Sequence, residues 1–107
     1  MQVVTSAGRS EAEFRVDMSV EGALQRLRSG LSGQSRFTLV GSDTREARLS
    51  VRPNWAAWGA RVTLRFVAVE ESVSLVRAQW EPALATTIVT WGQGGRDLQA
   101  VAHFIQA

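Results

Sequence analysis

The chain has 107 residues, enough for one domain that buries about two thirds of its unfolded surface and needs no covalent staple. Its twelve cationic residues are all arginine against ten acids, so the net charge is only +2, and the high isoelectric point reflects the lack of lysine and tyrosine rather than a cationic surface. The absence of cysteine excludes thiol catalysis, iron–sulfur clusters and zinc–thiolate sites, and no apolar run reaches the length of a signal-peptide core or a membrane span, so a soluble cytoplasmic protein is expected.

Residues 1–10 are small and polar and are expected to fray. Ala12, Phe14, Val16 and Met18 then alternate with Glu11, Glu13, Arg15 and Asp17, which is the period of a strand with one charged face. Ser19 is a suitable N-cap for a helix, Glu21 complements the dipole in its first turn, and Val20, Ala23, Leu24, Leu27 and Leu31 recur at helical spacing until Gly30 or Gly33 ends the run. Two short strands, 36–40 and 46–52, flank a turn at Gly41, Ser42, Asp43 and Thr44, and Pro53 stops the second.

An apolar connection, residues 54–58 with Trp55 and Trp58, leads into the dominant feature of the chain. Residues 59–81 contain two long β-branched runs joined across Glu70, Glu71 and Ser72, a hairpin with Val62, Leu64, Phe66 and Ala68 on its core face. In the second run Val76, Ala78 and Trp80 share one parity while Val73 and Leu75 share the other, which predicts either a bulge near Leu75 or burial on both faces. The pattern dissolves at Glu81 and Pro82, and Thr86 to Thr90 then form either a further strand or an extended lead-in. A second helix is expected from about Gly95, with Leu98, Val101, Ala102, Phe104 and Ile105 on its apolar arc.

The resulting order, β-α-β-β-β-β-α, predicts a single α+β domain over residues 1–107: a two-layer sandwich in which a curved antiparallel sheet packs against a long C-terminal helix. This order resembles the helix-grip architecture of START-like lipid-binding domains and the related layout of the TATA-binding protein. Two Trp-Gly dipeptides, Trp58-Gly59 before the hairpin and Trp91-Gly92 before the last helix, are similar to those of small bacterial domains with no assigned activity. In the second motif Thr90 and Gln93 stand where that resemblance implies an acid and a base. The likeness implies a fold and leaves the function to the residues.

Those residues assemble no catalytic constellation, no metal-ligand set and no cofactor motif; the one histidine, His103, falls on the polar arc of the last helix. The favoured function is a non-enzymatic binding module for an apolar small molecule or lipid. Its expected pocket lies between the sheet and the last helix, bordered by Trp55, Trp58, Phe66, Trp80 and Phe104, although the first two tryptophans suit a cap on the core equally well. Gly94, Gly95 and Arg96 at the start of that helix offer backbone N–H groups and a guanidinium to an anion, and the plainer account is a sharp chain entry. The alternative class is an interaction domain whose outer sheet face, with Arg48, Arg52, Arg61 and Arg65, meets nucleic acid or a protein partner. Acids share that face, so cross-strand ion pairs are the simpler expectation and nucleic acid is disfavoured.

Overall fold

The computed structural model describes residues 2–6, 8–53, 59–83 and 93–106. Six strands and two helices follow in the order β1 (Val3–Ser6), β2 (Arg9–Val16), α1 (Val20–Ser32), β3 (Phe37–Ser42), β4 (Glu46–Val51), β5 (Ala60–Glu70), β6 (Val73–Pro82) and α2 (Gln93–Gln106). All six strands join one antiparallel sheet of order β1-β2-β6-β5-β4-β3, and both helices cover the same face, as expected of a two-layer α+β sandwich.

The hairpin is the centre of that sheet. Phe14, Val76 and Phe66 align as one inward rung, and Ser10, Trp80, Val62, Leu49 and Leu39 align as another. Strict alternation in β2 and in the first part of β5 puts every second side chain into the core, where Val62 and Leu64 are fully buried and Phe66 is 2% exposed. α1 begins as its sequence predicts: the Ser19 hydroxyl accepts from the Gly22 N–H at 3.1 Å, and Gly33 caps the other end. α2 closes the core through Leu98, Val101 and Ile105, all fully buried.

The structure departs from the sequence expectation in four places. The first ten residues do not simply fray, because Val3–Ser6 pair with β2 in register Val3↔Ala12 to Ser6↔Arg9; the β-branched run Val3-Val4-Thr5 suits a strand, and the edge of β2 gives it a partner. The irregularity in the hairpin falls between Ala68 and Glu70 of β5, whereas Leu75 keeps regular partners in Arg15 and Val67. Leu75 is half-buried on the outer face, and Val73, of the same parity, is 7% exposed, so apolar residues do occupy both faces of β6 there.

β6 also runs on through Pro82. The Ala83 N–H donates to the Gly59 carbonyl at 3.0 Å, so by alternation Ala60 and Pro82 form a pair that exchanges no bond, and the proline sacrifices no ladder contact there. The last helix starts two residues earlier than Gly95, at Gln93. Residues 54–58 and 86–90, and with them the question of a further strand, lie outside the described residues.

Candidate functional site

The first turn of α2 holds a side-chain cluster that sequence reasoning missed. Asp97, 2% exposed, accepts four hydrogen bonds. Its Oδ1 takes the Arg36 Nε–H at 3.1 Å and the Gln93 Nε2–H at 2.9 Å, and its Oδ2 takes the Trp80 Nε1–H at 2.9 Å and the Arg36 Nη2–H at 3.3 Å. A buried carboxylate needs such a complete donor set. The cluster ties the start of β3, the end of β6 and the head of α2 together. The sequence hides it because Arg36 lies 61 positions from Asp97 and neither residue belongs to a local motif.

Trp80 is therefore a core residue with no exposed surface, its indole N–H already satisfied. Gly94 fits against it: a Cβ at Gly94 would lie 2.9 Å from the Trp80 ring and closer still to the Ser10 side chain, so only glycine lets α2 approach the sheet here. At Gly95 a Cβ would rest 3.8 Å from the Val3 side chain, an ordinary contact, and Arg96 is exposed and donates to the Gln93 Oε1 at 3.2 Å. The anion-site candidates Gly94, Gly95 and Arg96 thus share the helix's first turns with a carboxylate that is already in place.

Phe104 packs edge-on against Phe37, with centroids 5.9 Å apart and planes at 84°. It also fills the space a side chain at Gly30 would need, since a Cβ there would come within 2.6 Å of the Phe104 Cβ. Of the five expected pocket residues, Trp80 and Phe104 are thus committed to packing and Trp55 and Trp58 lie outside the described residues. Among the described residues, α2 fits closely on the sheet at Trp80 through Gly94.

Phe66 lines an opening on the side of α1. An open cleft of about 580 Å³ is bounded by Val20 of α1, the β3–β4 turn at Asp43–Glu46 and the stretch Arg65–Ala68 of β5. A second, of about 710 Å³, shares Val20, Asp43 and Thr44 with it and extends along Leu24 and Arg28, so the two volumes describe one opening from two sides. It exists because the hairpins differ in length. The β4–β5 ladder ends at Glu46↔Arg65, with the Phe66 N–H donating to the Arg45 carbonyl at 2.8 Å, while β5 continues to Glu70 with no paired strand on that side among the described residues.

The wall opposite is a fixed turn. The Asp43 Oδ1 accepts the backbone N–H groups of Arg45 and Glu46, both at 2.8 Å. Glu46 is held between Arg48 at 3.3 Å and Arg65 at 3.7 Å. The sequence shows the turn residues but not the difference in ladder length that makes the cleft.

On the outer face, Glu13, Arg77, Arg65 and Glu46 stand side by side across four strands, and each arginine has an acid beside it. Arg77 meets Glu13 at 3.0 Å and Arg61 meets Glu81 at 3.8 Å. Of the four arginines expected to face a polyanion, Arg48, Arg61 and Arg65 are in ion pairs; Arg52 is exposed and its carbonyl accepts from the Arg36 Nη1 at 3.5 Å. Among the described residues no helix is long and apolar enough to cross a membrane.

No protein-family model matches the chain, and no curated protein matches it. Among solved structures it is similar to CalU16 from Micromonospora echinospora, with a TM-score of 0.59 at 13% identity over 91% of this chain and 75% of that one. It is also similar to TTHA0849 from Thermus thermophilus, with a TM-score of 0.46 at 14% identity over 92% of this chain and 94% of that one. The likeness to CalU16 is one of fold.

Proposed function

We propose that the protein is a non-enzymatic binding module that takes an apolar small molecule or lipid in the cleft between α1, the β3–β4 turn and the free stretch of β5. The observation that carries this reading is the opening of about 580 Å³ with Phe66 and Val20 on its walls, a volume within the range of small-molecule sites. Its wall chemistry supports an apolar occupant with a few polar contacts: Val20, Phe66, Val67 and Ala68 supply the apolar part, and the charged residues stand at the turn. The ligand then enters beside α1, because α2 lies too close to the sheet at Gly94 to admit one.

Titration of the native protein with an environment-sensitive apolar dye tests this. Saturable binding is expected, and Thr44→Trp, which places a bulky side chain at the exposed turn bordering both halves of the cleft, should abolish it without changing the melting temperature. A native protein that takes up no dye, or a Thr44→Trp variant that binds as well as the native one, would overturn the reading.

A further inference from the structure

The opening continues past the β3–β4 turn. A third cleft, of about 330 Å³, follows the last turns of α1 beside Leu31 and faces Phe37, Thr38 and Leu39 of β3. Arg28 lines both this cleft and the one of about 710 Å³. The opening at the β3–β4 turn and this further cleft therefore lie in file along the seam between α1 and the sheet edge, joined at Arg28. From Val20 to Leu31 the seam follows eleven residues of helix, about 16 Å at 1.5 Å per residue.

β3 is one of the two edge strands of the described sheet, and the helix leaves its inward face incompletely covered. Leu39 faces the core side of the sheet, opposite the fully buried Leu49, yet is only half-buried, and Val20 is half-buried at the other end of the seam. These apolar side chains form a discontinuous floor whose one crossing is Arg28. Its Nη2 donates to the Ser42 Oγ at 3.2 Å, an exposed contact between α1 and the end of β3, and its guanidinium makes no ion pair among the described residues. Arginine suits such a crossing, since its methylene stem covers apolar surface while its head stays in water.

From this we infer that the α1–β3 seam is a site for one elongated apolar chain, the acyl chain of a single-chain lipid, and that Arg28 is a strap that closes over it. This rests on the proposed binding reading and extends it. A compact ligand needs only the opening at the β3–β4 turn; an opening and a cleft in file, joined at Arg28, fit a chain. The strap is held at its far end by one exposed hydrogen bond, so opening it exposes no buried polar group.

A homologous series of straight-chain alcohols from butanol to dodecanol, competing with the apolar dye, tests the inference. Affinity should rise about four-fold per methylene through the long members, the increment set by burial of each CH₂, and level off only when the chain fills the seam. Arg28→Ala should speed dissociation of dodecanol at least ten-fold and leave butanol unchanged, with the melting temperature unaltered. Ser42→Ala, which removes only the far anchor, should reproduce the direction of that effect.

Affinity that levels off after butanol, with binding still blocked by Thr44→Trp, would overturn the seam while leaving the cleft reading intact. So would dodecanol dissociation unchanged in both variants. Absence of binding by every alcohol and by the dye would overturn both readings together.

Discussion

Replacing Asp97 by asparagine changes no volume and removes one acceptor, which makes it the sharpest probe of the cluster at the head of α2. The carboxylate serves four donors with two oxygens, whereas an amide offers one acceptor oxygen and a nitrogen that can only donate. With the amide nitrogen at the Oδ2 position, Trp80 Nε1 and Arg36 Nη2 face a donor; in the other orientation, Gln93 Nε2 and Arg36 Nε do. The Arg36 side chain is 31% exposed and can turn to water, but Trp80 has no exposed surface and cannot. The cost is therefore one stranded buried donor, about 1–3 kcal/mol, plus about 1 kcal/mol for the lost charge assistance on the bonds that remain.

A total of about 2–4 kcal/mol is a large part of the roughly 5–15 kcal/mol that holds a domain of this size. It should lower the urea midpoint by about 1–2 M at unchanged slope. Equilibrium urea unfolding measures this directly, and Trp80→Phe supplies the partner for a double-mutant cycle, with a coupling of about 1–2 kcal/mol expected. A loss below about 1 kcal/mol, or no coupling, would show that the four short distances do not act as a buried network.

Neighbouring glycines in α2 should respond with opposite signs. Gly94→Ala drives a methyl group into Ser10 and Trp80 and should cost at least about 1–3 kcal/mol, while Gly95→Ala places its methyl at ordinary contact distance from Val3 on a helix and should gain about 0.5–1 kcal/mol; thermal melts of the pair decide it. On the outer face, Arg61→Gln with Arg65→Gln breaks two exposed ion pairs and should change stability by no more than about 1 kcal/mol. Neither that variant nor the native protein should shift DNA or RNA in a gel at low salt, and salt-sensitive binding lost in the variant would restore the arginine face as a functional surface.

What the sequence conveys about this fold is what repeats along it. Alternation at Val62, Leu64 and Phe66, the Ser19 cap and the apolar arc of Leu98, Val101 and Ile105 are local signals, and each marks its element correctly. β1 is easily passed over because its β-branched run, Val3-Val4-Thr5, is only three residues long among small polar neighbours, and pairing with the edge of β2 completes it. Asp97 reads as one more charge on a helix until the fold brings Arg36 and Trp80 to it. The cleft is less legible still, since it depends on where the β4–β5 ladder stops relative to the end of β5, a difference between two elements that no single stretch encodes. Aromatic residues that line a pocket and those that fill a core have the same periodicity, so the pattern alone does not show that Trp80 bonds to Asp97 and Phe104 packs on Phe37.

Ser10 has a consequence for how the sheet is aligned. It is buried opposite Trp80, directly under Gly94, and its hydroxyl is within 2.9 Å of the Thr5 hydroxyl on β1. The closest approach of helix to sheet thus rests on a glycine above and a serine below, with room for nothing larger. A slip of β2 by one residue would bring Arg9 or Glu11 under the helix and turn Glu11, Glu13 and Arg15 together toward the core. Of the residues neighbouring this point in β2, only Ser10 is small enough to sit there without burying a charge. This one crowded contact acts as a positional key, fixing the pairing of two strands that are distant in the chain.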